Sequence, residues 1–422
     1  MHRLSATPFL FALAICAAPA SVTTAQDILQ KQSQQAWESI WQRFYHPDSQ
    51  TFMDYLSSYE AGHELAHLPT VTEVKRQFPN PCGYGSGMED GMILGGAMLS
   101  VVCDRYAVTK EASLGEKAEM IFAGMRRCAT VHGKPGFVAR NVCPGDQTSI
   151  YINSSRDQVT HFVHGLWRYF HSPLPDASTK QAIGNLLAAV ADRMTEFVVP
   201  ENDFDFCRAD GSRCPLGICR MWNVNVHEAA RLPMIYAAAW DTTGEERFRE
   251  QWQRYVNEAI QQSAGPLKHQ PAYALLQMQC SLEVLHDVET DAARKAKIVS
   301  IMNRVGQMGR TKQTESLAKI RSMDDQTLTM LGPDWRHAEK WIHQGGYPNP
   351  QWGPYREVWH TIRETGESAL IAMMVPHASI SDDQQADLHR LLLRLNYDRC
   401  SSCGIVYHLA AHWKAKRLVS QQ

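Results

Sequence analysis

The sequence predicts an all-α chain folded as an (α/α)6 toroid, with six outer helices, six inner helices and long loops gathered at one end. Three observations lead there. Nearly every long segment carries apolar residues at i, i+3, i+4 and i+7, and almost none alternates as a half-buried strand would. The helical segments are of two kinds, one with a charged face and one apolar on most sides, and the two kinds take turns along the chain. A helix polar on one face belongs at a surface, whereas one apolar nearly all round must be enclosed, so the alternation describes two concentric rings. An open solenoid of helical hairpins gives the same alternation. The segments, however, share no consensus, their spacing varies widely, and no repeat of about 34 or 40 residues is present.

Residues 1–25 read as a secretory signal. Met1-His2-Arg3 is a basic start, the apolar run from Phe9 to Ala18 is too short to span a bilayer, and Ala18-Pro19-Ala20 and Thr23-Thr24-Ala25 are small-residue cleavage sites. The bulky Ile15 before Cys16 speaks against lipoprotein processing. A secreted or periplasmic protein is expected, with residues 26–422 as one toroidal domain. No other window reads as long and apolar enough to cross a membrane.

The amphipathic segments are 27–45, 112–130, 177–199, 245–263, 291–309 and 382–396. The enclosed ones, rich in Gly, Ala and Met, are 87–106, 156–170, 226–240, 272–287, 365–375 and 403–416. Inner-to-outer connections are short, as in Asp241-Thr242-Thr243-Gly244. Outer-to-inner connections are long and hold most of the Pro, Gly, Trp and Tyr, which is where binding and catalysis usually lie.

Over 422 residues, 44% hydrophobic and 20% charged residues are globular values, and a net charge of −2 gives no reason to expect nucleic acid or an anionic membrane as partner. Of eleven cysteines, Cys16 leaves with the signal, and an even ten in an exported chain predicts structural disulfides. Cys207, Cys214 and Cys219 crowd one loop, and Cys400 and Cys403 have C-x-x-C spacing without the βαβ context of a redox site.

Several inner segments open with acids: Met88-Glu89-Asp90, Ser155-Arg156-Asp157-Gln158, Val226-His227-Glu228 and Arg363-Glu364-Thr365-Gly366-Glu367. Any one could be a helix-terminal charge favoured by the macrodipole. Four at corresponding positions of separate hairpins would converge on one cavity. Two carboxylates across a cleft are what glycosidic hydrolysis requires, one protonated to assist the leaving oxygen and one ionised to activate water or attack the sugar. Asp157 is the first candidate, with Glu89, Asp90, Glu228 or Glu364 as its partner. Tyr84, Arg156, Gln158, His161, His227, Arg363 and Trp352 are candidates for holding a poly- or oligosaccharide. The 333–361 loop adds Trp335, Trp341, Tyr347, Tyr355 and Trp359, rings that suit sugar faces or pack on one another.

Gly62-His63-Glu64-Leu65-Ala66-His67 contains H-E-x-x-H, which on a helix presents two imidazoles to zinc. Here Gly62 precedes it and Pro69 follows His67 closely, which leaves no room for such a helix. A zinc peptidase through His63, Glu64 and His67 is therefore the minor alternative.

The helical alternation together with GMEDG, INSSRDQ and RETGES resembles the six-hairpin glycosidase superfamily. The resemblance implies an (α/α)6 barrel, an active site at the loop end, and carboxylate acid/base chemistry without an obligatory cofactor. The expected activity is that of a glycoside hydrolase, including the option of a uronic-acid-containing substrate. A polysaccharide lyase on the same toroid, with Tyr84 or His161 as base, is the alternative, and a non-catalytic glycan-binding toroid a second one.

Overall fold

The computed structural model describes residues 25–420. The predicted signal segment lies outside them except for Ala25. Twelve long helices follow the predicted order. The outer ones are α1 (Ala25–Ser39), α4 (Ser113–Thr130), α6 (Ala177–Phe197), α8 (Glu246–Ser263), α10 (Ala292–Ser322) and α13 (Asp382–Arg394). The inner ones are α3 (Gly91–Thr109), α5 (Arg156–His171), α7 (Arg231–Thr243), α9 (Ala272–Val288), α12 (Tyr355–Ile371) and α14 (Val406–Ser420). The short helices α2 (Val71–Lys75) and α11 (Asp325–Leu328) lie in connections, as do the two-stranded ribbons β1 (Tyr45–His46) with β2 (Thr51–Phe52) and β3 (Trp341–Gln344) with β4 (Tyr347–Pro350).

The ring closes because each inner helix packs on the next: α3 on α5, α5 on α7, α7 on α9, α9 on α12, α12 on α14, and α14 back on α3. The outer helices cover them with one face. In α8, Phe248, Trp252, Val256, Ala259 and Ile260 are buried at helical spacing while Glu250, Gln253 and Arg254 stay in solvent. Side-chain caps stop fraying where loops enter: Asp176 accepts from Thr179 N, Asp291 from Arg294 N, and Ser155 from Gln158 N.

Small residues let the inner helices approach. A Cβ on Gly96 of α3 would sit 2.1 Å from the His161 carbonyl oxygen of α5, and one on Gly165 would sit 2.6 Å from Gly96 Cα. Gly96→Val is therefore expected to destabilise the protein by about 1–3 kcal/mol through overpacking. A lowered urea midpoint at unchanged slope measures the loss, and an unchanged midpoint contradicts the close approach.

Four expectations need correction. Gly91–Thr109 is long and apolar enough to cross a membrane, with a mean hydropathy of 1.3 and 78% of its window buried inside the protein. Its apolar surface is satisfied by α5 and α14, as expected of a core helix. Helix α10 continues past 309 to Ser322, because Gln313, Ser316, Leu317 and Ile320 prolong its buried stripe. Helix α12 begins at Tyr355, so the stretch read as a loop to 361 is a β-ribbon followed by two helical turns. The ten described cysteines are all buried free thiols, so the expected bridges are not formed. Cys103, Cys128 and Cys280 each occupy the core as small apolar groups on different helices.

At the end of the ring away from the long loops, buried charges are paired. Asp104 takes Arg168 and Arg417, and Glu283 takes His164 and Lys414. These contacts tie α3, α5, α9 and α14 together across the axis.

Candidate active site

The loop ends of the inner helices surround a cavity with two lobes. One, of about 360 Å³, is lined by Tyr84, Glu89, Asp90, Asp157, Tyr273, Trp352, Arg356, Trp359, His360, Arg363, Glu364 and Glu367, among others. The other, of about 280 Å³, adds Arg140, Arg156, His227, Glu228 and Arg231. Tyr84, Asp90, Ile93, Asp157, Tyr273 and Gln344 border both lobes, which makes them one continuous space.

Asp54 builds the turn into α3. Its two carboxylate oxygens accept from the amides of Glu89 at 2.8 Å and Asp90 at 3.0 Å, and its backbone carbonyl accepts from Trp359 Nε1 at 3.2 Å. Burial, with Asp90 and Glu89 close by, pushes the Asp54 carboxyl well above the carboxylate range. The turn therefore rests on a rigid, water-excluded support. From it the Glu89 side chain enters the cavity with one hydrogen bond, from Gly85 N at 3.3 Å. Burial and the Asp90 charge raise Glu89 to about 7, against the lowering pull of Arg140 and Arg356.

Asp90 is held differently. Arg363 Nη1 reaches it at 2.5 Å and also bonds Glu367 through Nε at 2.6 Å, forming a buried Asp90–Arg363–Glu367 bridge between α3 and α12. Burial raises Glu367 to about 7 despite Arg363.

Asp157, in the first turn of α5, pairs with Arg231 of α7, whose other amino group donates to Gln277 at 2.6 Å. Burial works to raise Asp157, but Arg231, by charge and hydrogen bond, outweighs it together with Arg156 and Arg140 and holds the carboxyl below its ordinary value. Its side chain keeps 31% exposure, so one oxygen is available to the cavity. Glu228 is gripped by Arg156 at 2.5 Å and accepts from Asn225 Nδ2 at 2.9 Å. Burial is again opposed, and overcome, by Arg156, Arg231 and His227.

Of the residues singled out in the sequence, Tyr84, Glu89, Asp90, Arg156, Asp157, His227, Glu228, Trp352, Arg363 and Glu364 all border this cavity. Glu364 does so from the third turn of α12 rather than from its start. Two do not border it. Gln158 is fully buried and donates to the Glu89 carbonyl at 2.8 Å and to Asp90 Oδ1 at 3.3 Å, so it supports the turn from behind. His161 lies deeper and borders a separate void of about 30 Å³ inside the ring. There burial, His164 and Arg363 lower its imidazole to about 3.

Sequence reasoning missed Asp54, Arg140, Arg231, Tyr273 and Arg356, and it placed Glu367 in an acid-bearing segment without choosing it as a site residue. Arg140 is buried, donates to the Glu89 carbonyl at 3.0 Å and to Tyr84 Oη at 3.2 Å, and lies over the Tyr84 ring. Burial pushes the Tyr84 hydroxyl well above its usual value, with Arg140 opposing. Of the aromatics in the 333–361 stretch, only Trp352 and Trp359 border the cavity. Trp335 is buried against the His67 carbonyl, and Trp341 stacks on Phe78.

The H-E-x-x-H segment forms turns, not a helix. His63 is exposed, whereas His67 is buried, stacked on Tyr55 at 4.1 Å and hydrogen-bonded to Ser57 Oγ at 3.0 Å. The two imidazoles therefore share no helical face, and burial lowers His67 to about 3.

No family model and no curated protein matches the chain. A sugar epimerase from a ruminal bacterium superposes with a TM-score of 0.51 at 10% identity, over 94% of this chain and 99% of that one. The chain has the six-hairpin fold. A cellobiose 2-epimerase from Spirochaeta thermophila is similar at a TM-score of 0.46 and 12% identity, covering 95% and 100% of the two chains. For a glycoside hydrolase family 76 mannosidase from Bacteroides thetaiotaomicron the values are 0.43, 8%, 92% and 98%. In six-hairpin terms, the cavity lies at the loop end of the inner ring, on its axis.

Proposed function

We propose that the protein is an exported glycoside hydrolase in which Glu89 is the general acid and Asp157 the ionised carboxylate. The observation that supports this best is convergence. Acids from α5, α12 and the turns into α3 and α7 border one cavity whose walls carry Tyr84, Tyr273, Trp352 and Trp359. Two of those acids have opposed environments. Glu89, half-buried in the cavity wall with little hydrogen bonding, is raised to about 7, whereas Asp157 is held low by arginines. Such a divergence is how one site supplies both an acid and a base near neutral pH. In the reaction the glycosidic C–O bond breaks and Glu89 protonates the departing oxygen. Asp157 either takes a proton from water as it attacks the anomeric carbon or attacks that carbon itself before water releases the sugar. The signal read in residues 1–25 supports export.

Arg356, exposed at the rim of the cavity, makes no ion pair or side-chain hydrogen bond among the described residues. It is the cation on this acid-lined rim with which a uronate carboxylate would pair, so uronate-bearing glycans belong among the substrates tested. The lyase reading has less support, because burial opposes ionisation of Tyr84 and His161 does not border the cavity.

The test is a panel of neutral and uronate-bearing oligosaccharides analysed for product. New reducing ends without an ultraviolet-absorbing unsaturated sugar support hydrolysis. An unsaturated product means a lyase, an isomerised sugar of unchanged length means an epimerase like the protein of the same fold, and binding without turnover means a lectin-like role. On any substrate cleaved, Asp157→Asn is expected to reduce turnover about a hundredfold, and full activity removes Asp157 from the mechanism.

A further inference from the structure

The β3–β4 ribbon crosses the mouth of the cavity. It leaves the chain just before α12 and is built for reach. Trp341 pairs with Pro350 and Gln344 with Tyr347. Between them Gly345 and Gly346 make a two-residue turn at φ +55° and +84°, the backbone region that a tight hairpin of this hand needs. Its base is anchored by Trp341 on Phe78 and by Asn80 Nδ2 donating to the Pro348 carbonyl at 2.9 Å. A Cβ on Gly85 would sit 2.4 Å from Pro350 Cγ, so this flank rests directly on the loop before α3.

Its far end touches the loops that lead into α5 and α7. Tyr347 Oη accepts from Asn153 Nδ2 and from Arg208 Nη1, both at 3.2 Å. A Cβ on Gly345 would lie 2.1 Å from Leu216 Cδ2. Asn153 precedes α5, and Arg208 and Leu216 precede α7. In the order of inner helices α5 stands diametrically across from α12. The span passes over the acids, since Gln344 borders both lobes and Asn349 and Pro350 border the larger one. Among the described residues, no such ribbon covers the α9 side. There Tyr273 borders both lobes and is still 39% exposed, an aromatic platform at an open edge.

We propose that this hairpin is a strap that confines the site to chain ends, so that the protein removes a terminal sugar or short unit instead of cutting within a glycan. The inference rests on the glycan-cleaving reading above. An internal segment of a polymer would have to enter and leave on both sides of the scissile bond, and the strap blocks one of those paths. A chain end needs only the path past Tyr273. The hydrolytic step is unchanged, with water's hydroxyl going to the anomeric carbon and the proton from Glu89 to the departing oxygen.

The test uses the full protein and a polysaccharide built from the sugar linkage that it cleaves in the oligosaccharide panel, following viscosity and reducing ends together. The expected result is a steady rise in reducing ends, one small product from the first time point, and little early loss of viscosity. Gly345→Val introduces a clash with Leu216 and strain at positive φ. It should lift the strap and raise the ratio of internal to terminal cleavage on the order of tenfold, the scale of one steric contact in a specificity ratio. Tyr347→Phe, which keeps the ring and removes only the hydroxyl, should shift the ratio the same way by a smaller factor. An early collapse of viscosity with the unmodified protein, or an unaltered ratio in both variants, overturns the strap while leaving hydrolysis intact. Absence of cleavage across the whole panel overturns the functional reading and the strap with it.

Discussion

Glu89→Gln is expected to lower kcat by about 10⁴ on a glycan whose departing group is an ordinary sugar hydroxyl, the upper range for a lost general acid. The amide keeps the shape of the side chain but has no proton to give. On an aryl glycoside, whose phenol departs without protonation, the loss should be far smaller. That contrast separates a role in leaving-group departure from a general disturbance of the site. The pH profile supplies a second check. An acid must be protonated to act, so activity of the unmodified protein should fall as pH rises through about 7, the value to which burial lifts Glu89. At the other limb, Asp157 stays ionised until pH drops below the usual carboxylate range, because Arg231 and its neighbours hold it down against burial. The profile is thus wide on the acid side and cut off near neutrality on the alkaline side. Glu89→Gln should abolish the alkaline limb and keep the acid one. Survival of the alkaline limb would point to Glu367, which burial also places at about 7.

Periodicity made the ring legible because each inner helix is surrounded. An enclosed helix cannot hide its apolar circumference, and Gly91–Thr109 carries it almost unbroken from Met92 to Val102. The acids were legible because they cluster where polar loops meet apolar helices. Their supports were harder to see, since each is a lone charge inside an apolar run. Asp54 stands in Phe52-Met53-Asp54-Tyr55-Leu56, and Arg231 stands in Ala229-Ala230-Arg231-Leu232-Pro233-Met234. A charge in such a setting must be paired or hydrogen-bonded once buried, and both are. That signal was present in the sequence, but the identity of each partner depended on contacts between distant hairpins. Glu367 lay four residues from Arg363, a spacing that pairs side chains on one helix face. The aromatics of 333–361 misled for the opposite reason. Rings that stack on sugars and rings that fasten a loop look alike in one dimension, and here Trp335, Trp341 and Tyr355 fasten.

The largest effect on stability is expected at Arg363. Its guanidinium is 8% exposed and bridges Asp90 and Glu367, which are 13% and 3% exposed. Arg363→Leu would leave two carboxyls facing each other in a dry site, and losing one member of a buried charged set costs about 3–5 kcal/mol. The deficit should depend on pH in a definite direction. Glu367 is already raised by burial with Arg363 opposing, so removing the arginine raises it further. A folded-state value above the unfolded one means that the native state binds the proton more tightly. The gap between the variant and the unmodified protein should then stay level up to about 7, because Glu367 is protonated in both folded proteins there. It should widen as pH rises above about 7, where only the unmodified protein can ionise Glu367 beside Arg363. Adding Glu367→Leu removes the stranded acid, so the double variant should recover part of the loss and flatten its pH dependence. Urea unfolding at several pH values measures all three proteins. A deficit that shrinks with rising pH would show that Arg363 acts through packing against Trp359 and Tyr407, which its guanidinium faces at 5.3 and 5.4 Å, and not through charge.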